Sequence, residues 1–353
     1  MYTFGPVSMF KRYFFLFFTL TATFITPLAM AQDATVDCVM QHYLNADANL
    51  TLADIRKSCS IDNITEEDVE IAKLSITADS VTTPGAISRR IIKERQTEFE
   101  PYVLTPHKIN YILPTLTTNA INKGAYSSYD GYENNLENVE AKFQLSLKVP
   151  LNYNSMLIEG DGLYFGFTIQ AWWQIYAENI SKPFRETNYQ PELFYLAPLQ
   201  WHPFGGNTGF AVGIEHQSNG RTQNLSRSWN RVYVSFLYEK NNFALLFRPW
   251  VRLSEDVKEF ELDPKGDDNP DIDDFLGSSE IGLVYEWDNL EFSFTGRRNF
   301  STNKGSTEFG FTFPLWGKLR GYAMAFTGYG DSLIDYNYSQ TRFGLGIALS
   351  NVL

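Results

Sequence analysis

The sequence predicts an all-β protein: a twelve-stranded antiparallel transmembrane β-barrel preceded by a small, partly helical periplasmic N-terminal segment. Three observations predict it. The chain opens with a secretory signal, no later apolar run suits a membrane helix, and apolar and polar residues alternate in repeated stretches of about ten residues. The mean hydropathy of −0.25 is compatible with a barrel, because every second residue of a barrel strand is polar.

The composition narrows the function classes. The chain has 353 residues, of which 16% are aromatic, and a formal net charge of −12. This charge argues against a nucleic-acid binder, since phosphates are neutralised by a basic excess. Two cysteines exclude a cysteine-built zinc site and a disulfide-dense scaffold, and four histidines leave few candidates for a catalytic imidazole.

The first 31 residues have the pattern of a signal peptide. Lys11 and Arg12 precede the apolar run 13–20, and Ala29-Met30-Ala31 supplies the small residues of a cleavage site. A permanent membrane anchor is the alternative, which the threonines and the proline of residues 19–27 weaken. Cleavage removes two positive charges and leaves the mature chain at about −14.

Alternation is clearest in residues 139–151, where the odd-numbered positions from Val139 to Leu151 are apolar and most even-numbered ones are polar. A soluble sandwich also alternates, but it rarely places so many aromatic residues on one face. Short turns also alternate with long loops, so we expect all the long loops to be extracellular. The predicted strands lie near 107–118, 139–151, 162–176, 188–199, 207–218, 229–239, 242–253, 275–287, 289–298, 306–316, 319–329 and 341–353.

The sequence therefore divides into a signal peptide (1–31), a periplasmic segment (32–105) and a barrel with a catalytic face (106–353). The periplasmic segment contains two stretches typical of helix starts, at 51–54 and 65–68. It also holds Cys38 and Cys59, which an oxidising compartment would join in a disulfide; two free thiols are the alternative.

Three polar residues lie on apolar faces of the fifth and sixth predicted strands. His216 and Ser218 continue the face of Ile214, and Asn230 continues the face of Val232 on the next strand. Polar groups that face lipid cost free energy, so their presence suggests a use. His216 can take the proton of the Ser218 hydroxyl while Asn230 fixes the imidazole tautomer. Polar residues bonded to lipid headgroups are the alternative explanation.

The stretches around this trio resemble the outer-membrane phospholipase A family of Gram-negative bacteria. The central ones are His216-Gln217-Ser218-Asn219-Gly220-Arg221 and Ser226-Arg227-Ser228-Trp229-Asn230-Arg231; supporting ones lie at 183–189, 267–271 and 328–337. The resemblance covers roughly 90–353. It implies a twelve-stranded barrel that hydrolyses phospholipid acyl esters with calcium and acts as a homodimer, with the serine, histidine and asparagine of the family at Ser218, His216 and Asn230.

The resemblance also implies a calcium site, because four residues match ligand positions of the family. They are Ser181, Arg221 through its carbonyl, Ser226 and Asp268, all in predicted extracellular loops. Such oxygen donors suit calcium. In place of the Tyr-Thr-Gln stretch of the family the chain reads Phe167-Thr168-Ile169-Gln170, which leaves open the role of Gln170 at a dimer interface.

Two other functions compete with this prediction. A non-catalytic outer-membrane pore or lipid-binding barrel needs an open lumen, and inward charges such as Glu140 and Lys142 would then line water instead of pairing with each other. A secreted soluble esterase would need a nucleophile elbow, and the sequence contains no Gly-x-Ser-x-Gly.

Overall fold

The computed structural model describes residues 84–350 except 96, 100–102, 130, 261–262, 264–265 and 318. The predicted signal peptide, most of the predicted periplasmic segment with its two cysteines, and the chain end at 351–353 lie outside the described residues, so the predictions made for them stay predictions. Within the described part of the chain no helix is long and apolar enough to cross a membrane.

One antiparallel sheet contains all the described strands. They are β1 (Thr105–Pro106), β2 (Tyr111–Thr118), β3 (Val139–Pro150), β4 (Gly162–Trp173), β5 (Phe184–Leu199), β6 (Asn207–Ser218), β7 (Ser228–Lys240), β8 (Phe243–Leu253), β9 (Ser279–Trp287), β10 (Leu290–Asn299), β11 (Lys304–Trp316), β12 (Leu319–Tyr329) and β13 (Ser339–Ala348). From β2 to β13 each strand pairs with its neighbours in sequence, and the pairing of β13 with β2 closes a twelve-stranded barrel.

The described residues include two α-helices beside the barrel strands. Helix α1 (Ala86–Arg95) precedes β1, and the short α2 (Ile272–Leu276) lies in the loop between β8 and β9. Single 3₁₀ turns occupy the connections at Gly124–Tyr126, Glu133–Asn135, Glu178–Ile180, Pro203–Gly205 and Gln223–Leu225.

The predicted twelve-stranded barrel is confirmed, and most strand boundaries fall within two to four residues of the prediction. The last strand ends at Ala348 instead of 353, and the starts of β2, β5 and β9 each differ by four residues. Strand β2 begins at Tyr111 instead of 107, because β1 pairs separately with β3 and the chain breaks its ladder in between. Strand β9 begins at Ser279, because the preceding residues form α2, which Gly277 ends at a positive φ of 71°.

The two faces of the strands follow the predicted alternation. On β3, Glu140 and Ser146 are fully buried inside the barrel, whereas Leu145 and Val149 are exposed on its outer surface. Aromatic side chains are exposed on the outer face of many strands, including Phe165, Phe167, Phe236, Phe247, Phe292, Phe309 and Phe343. An apolar outer face with a polar interior is the arrangement of a transmembrane barrel.

Buried ion pairs fill the extracellular half of the interior. Arg185 on β5 donates to both carboxylate oxygens of Glu140 at 3.0 Å and to Asp335 at 2.9 Å. Asp331 accepts from Lys142 at 2.7 Å and from Arg342 at 2.6 Å. Because Asp331 and Asp335 belong to the loop between β12 and β13, these pairs hold that loop inside the barrel mouth. Charges buried in this way must be paired, and the pairing argues against an open lumen.

Helix α1 packs at the opposite end of the barrel, where its first turn is held by Glu239 of β7. The Glu239 carboxylate accepts from the backbone N–H of Gly85 at 3.2 Å and of Ser88 at 2.9 Å, and from the Ser88 hydroxyl. Free N–H groups and the helix dipole favour a carboxylate at this position. A side chain of a barrel strand thus caps the helix that precedes the barrel.

Replacing Glu239 should release α1 while the barrel stays folded. The change Glu239→Ala removes the acceptor of three hydrogen bonds from the helix and of a fourth from Nδ2 of Asn207 at 3.0 Å, and a hydrogen bond to a charged group contributes about 1.5–3 kcal/mol. We expect trypsin to cleave near Arg89 and Arg90 several times faster in detergent. The matched control is Glu286→Ala, which removes an exposed ion pair with Arg89 and should change the cleavage rate little. Unchanged cleavage of Glu239→Ala would contradict this account of the helix.

Candidate active site

The predicted trio lies on the outer face of β6 and β7, near their extracellular ends. His216 of β6 is the direct register partner of Asn230 of β7, and Ser218 is the partner of Ser228. Ile214, on the same face of β6, is 54% exposed, which identifies this face as the outer one. All three trio side chains are half-buried. The structure therefore places them together on one surface, as the sequence predicted.

A hydrogen bond of 2.9 Å joins Nδ1 of His216 to Oδ1 of Asn230. Since an amide oxygen only accepts, this contact requires a proton on Nδ1 and leaves Nε2 of the imidazole with a free lone pair. The Nδ2 group of Asn230 donates in turn to Oε1 of Glu255 at 2.9 Å. The Ser218 hydroxyl forms no hydrogen bond with a described residue, so the structure joins the base and the amide but not the serine and the base.

The loop that follows β6 is organised by one buried amide. Oδ1 of Asn219 accepts from the backbone N–H of Arg221 at 3.2 Å and of Arg227 at 3.0 Å, and its Nδ2 donates to the carbonyl of Leu225 at 2.7 Å. Gly220 turns the chain at a φ of +61°, a conformation that favours glycine. This loop contains two of the four predicted calcium ligands and keeps them beside the trio.

Two of the four predicted calcium ligands, Ser226 and Asp268, are in contact with each other. The Ser226 hydroxyl donates to Oδ2 of Asp268 at 2.5 Å, and the ammonium of Lys258 lies 2.5 Å from the other carboxylate oxygen. The guanidinium of Arg221 donates to the carbonyls of residues 184 and 185 at 2.9 Å each, so its side chain is held away from a ligand role. Ser181 is exposed, in a left-handed conformation, and makes no hydrogen bond to the other three in the described chain.

The acidic stretch 267–271 is fastened to the barrel rim by side chains. Asn269 is fully buried and its Oδ1 accepts from the backbone N–H of Ser228 at 3.0 Å, while Arg252 donates to both carboxylate oxygens of Asp267 at 2.7 and 2.6 Å. Tyr336 donates to Asp271 at 2.6 Å. Burial and this hydrogen bond raise the pKa of Tyr336 well above its usual range, so it stays a neutral donor. Three of the stretches that resemble the family, at 226–231, 267–271 and 328–337, thus meet around the start of β7.

The sequence reasoning did not identify four residues of this region: Asn219, Glu255, Arg252 and Asn269. Asn219 and Asn269 lie inside stretches that resemble the family, and their amides are the kind of group that forms hydrogen bonds with loop backbone. Arg252 lies near the end of β8 and Glu255 lies in the loop that follows, and no sequence motif indicates where that loop folds. Within the described residues no group of three or more histidine, cysteine or acidic side chains could hold a metal ion.

Known proteins match the part of the chain that forms α1 and the barrel. The model of the phospholipase A1 family matches residues 87–349. Phospholipase A1 of Escherichia coli K12 is 36% identical over 276 residues, which are 78% of this chain and 90% of that relative. Phospholipase A1 of Proteus vulgaris is 33% identical over 287 residues, 78% of this chain and 92% of that relative.

This chain belongs to the phospholipase A1 family. Two solved structures share its fold: outer membrane phospholipase A from Escherichia coli, and the Salmonella typhi outer membrane phospholipase, a dimer with bound calcium. Each is 35% identical, has a TM-score of 0.68, and covers 74% of this chain and 98% of its own. A further Escherichia coli structure carries an asparagine-to-alanine mutation of the active site.

Membership of the phospholipase A1 family confirms the predicted family, enzyme class and outer-membrane location. The side chain of Gln170 points into the barrel and donates to Gln144 at 2.7 Å, so it does not lie on the outer surface. Its neighbour Ile169 therefore lies on the outer face of β4. An apolar residue occupies the outward position next to Gln170 in this member of the family.

Proposed function

We propose that this chain hydrolyses acyl ester bonds of phospholipids in the outer membrane, in a calcium-dependent reaction carried out by a homodimer. Ser218 is the nucleophile, His216 the base and Asn230 the orienting group. The observation that carries the proposal is the 2.9 Å hydrogen bond between His216 and Asn230, on the same outward face as Ser218. A polar set of this kind on a surface that faces lipid has a chemical use there.

The chemistry follows from the tautomer that Asn230 selects. Nε2 of His216 accepts the hydroxyl proton as the Ser218 oxygen attacks the carbonyl carbon of the ester. The tetrahedral intermediate collapses, its bond to the alcohol oxygen breaks, and the leaving lysophospholipid takes the proton from Nε2. Water then attacks the acyl-serine with the same base, which releases a fatty acid and restores the Ser218 hydroxyl.

The position of the trio suits a phospholipid ester. Strand β6 ends two residues after His216, and β7 begins two residues before Asn230. These side chains therefore lie at the height where a membrane changes from acyl chains to headgroups. Phospholipid ester groups lie at that level. A substrate can therefore reach Ser218 by lateral diffusion in the outer leaflet without leaving the bilayer.

The residues near the trio fit a calcium ion. Two oxygen donors from different loops, Ser226 and Asp268, already converge, and the Asp268 carboxylate accepts a cationic partner in Lys258. Together with the carbonyl of Arg221 and with Ser181 from a second copy, they form the hard-oxygen set that calcium prefers. When bound, calcium supplies positive charge that stabilises the oxyanion of the intermediate.

A homodimer would complete the site. The trio faces outward, so a single barrel offers an acyl chain no second wall, and a second copy laid against β6 and β7 would provide one. Support comes from the Salmonella typhi relative, which is a dimer with bound calcium. Net negative charge opposes self-association of this chain, so a divalent cation between two copies would favour the dimer.

Ser218→Ala should abolish phospholipid hydrolysis in mixed micelles and leave the barrel folded, because the side chain points away from the strand ladder. The matched control is Ser228→Ala, which removes a hydroxyl from the register partner of Ser218 and should keep most of the activity. Barrel folding is checked by heat-modifiable migration in gels. More than trace activity in Ser218→Ala would refute the assignment of the nucleophile.

His216→Ala and Asn230→Ala should differ in degree. Loss of His216 removes the proton acceptor, whereas loss of Asn230 leaves a base that is poorly oriented, so Asn230→Ala should retain measurable activity, at least about tenfold above His216→Ala. Initial rates on a fluorogenic phospholipid ester measure both. Equal and complete loss in two well-folded variants would mean that Asn230 does more than orient the base.

Calcium should promote dimerisation and activity together, because a cation shared by two copies links the two equilibria. Chemical crosslinking in detergent, with calcium or with a chelator, gives the monomer–dimer ratio beside the rate. Asp268→Asn should weaken both responses, and Asp274→Asn, an exposed acid of the same loop, is the control. If activity requires calcium but the monomer–dimer ratio does not change with calcium, the ion acts in catalysis alone and the proposed coupling is wrong.

A further inference from the structure

Glu255 extends the row of side chains that begins at His216. His216 pairs in register with Asn230 on β7, and Asn230 pairs with Leu253, the last residue of β8. Glu255 follows Leu253 by two residues, the spacing that returns a side chain to the same face of an extended chain. Its carboxylate accepts the hydrogen bond from Nδ2 of Asn230 at 2.9 Å.

We propose that Glu255 is a positioning residue of the hydrolytic site and that it acts through Asn230. The functional unit is then a row of four residues, Ser218, His216, Asn230 and Glu255, carried by three neighbouring strand ends. This inference rests on the proposed function, because it assigns a fourth member to a trio that is itself proposed.

The first argument concerns the orientation of the Asn230 amide. An amide can turn by 180° about its last bond and exchange its oxygen and nitrogen. With nitrogen toward His216, the amide would donate to Nδ1 and force the proton onto Nε2, where the imidazole can no longer accept from a serine. An ionised carboxylate only accepts, so Glu255 holds the amide nitrogen toward itself and the amide oxygen toward His216.

The second argument concerns charge. Accepting the serine proton makes the imidazole of His216 cationic, and an anion near the far nitrogen stabilises that state. Asn230 is neutral, but its amide is polarised by the Glu255 carboxylate, which increases the negative charge on the oxygen that faces His216. The charged group itself lies beyond the end of β8 and is half-buried. A charge costs little at that membrane level, whereas it costs more nearer the midplane.

The loop that carries Glu255 has anchors of its own. Arg252 binds the Asp267 carboxylate through two contacts, and the backbone N–H of Asp267 donates to the carbonyl of Asp256 at 2.8 Å. Substituting Glu255 therefore removes the contact to Asn230 and leaves these loop anchors in place. Asp268 lies in the same loop, so one loop carries both the proposed calcium ligand and Glu255.

The test is a double-mutant cycle on the purified full-length protein in mixed micelles with calcium. Glu255→Gln keeps the size of the side chain but removes its charge and its acceptor-only character. We expect kcat to fall about tenfold with KM unchanged, because a glutamine amide can accept from Asn230 but carries no charge and can equally donate, so it no longer fixes the Asn230 amide. In an Asn230→Ala background the same change should alter kcat less than about twofold, because residue 255 then has no amide through which to act on His216. Glu259→Gln, an exposed acid of the same loop, is the charge-matched control and should match the wild type.

Each outcome separates the two proposals. An active Ser218→Ala overturns the proposed function and the inference with it. An inactive Ser218→Ala beside a Glu255→Gln variant with wild-type kcat overturns only the role of Glu255. A fall in kcat of the same size in the wild-type and Asn230→Ala backgrounds, or a rise in KM alone, means that Glu255 acts on the loop or on substrate binding and refutes positioning through Asn230.

Discussion

The hydrogen bond between His216 and Asn230 is the contact on which the outer surface of this barrel depends. Alternate residues of a barrel strand face lipid, where an unpaired polar group is costly, so a histidine there needs a partner on a neighbouring strand. The register of β6 and β7 supplies it, since His216 and Asn230 are directly opposite. The pairing that makes these polar groups tolerable in the membrane also selects the tautomer that hydrolysis would need.

The extracellular rim is held from inside the barrel. Arg185, Arg342 and Lys142 reach from the barrel wall to Asp331 and Asp335 and bind the loop between β12 and β13 in the barrel mouth. Tyr336 of that loop then binds Asp271, and Asn269 binds the start of β7. A chain of contacts thus runs from the interior ion pairs to the loops beside Ser218 and connects the barrel interior to a site that lies outside it.

The sequence predicted the barrel and the trio because both depend on a period of two, which is a local property. Knowing that Ile214 and Val232 face outward is enough to place His216, Ser218 and Asn230 on one surface. The calcium ligands and the dimer came from the resemblance alone, and Ser181 and Arg221 carry no local signal of that role. Glu255, Asn269 and the buried Asp331 depend on how long loops fold back onto the rim, which no periodic pattern encodes. Helix α2 is not predicted from the sequence, because its five residues are too few to show a helical period.

The central claim is that Ser218 carries the acyl group, and identification of the covalent adduct tests it most directly. The full-length protein would be treated in micelles with a long-chain alkyl fluorophosphonate, which modifies activated serines, and then digested and analysed by mass spectrometry. The account predicts a single modified peptide with the label on Ser218, formed with calcium and abolished by His216→Ala. A label on another serine, or labelling of Ser218 that does not change in His216→Ala, would contradict it.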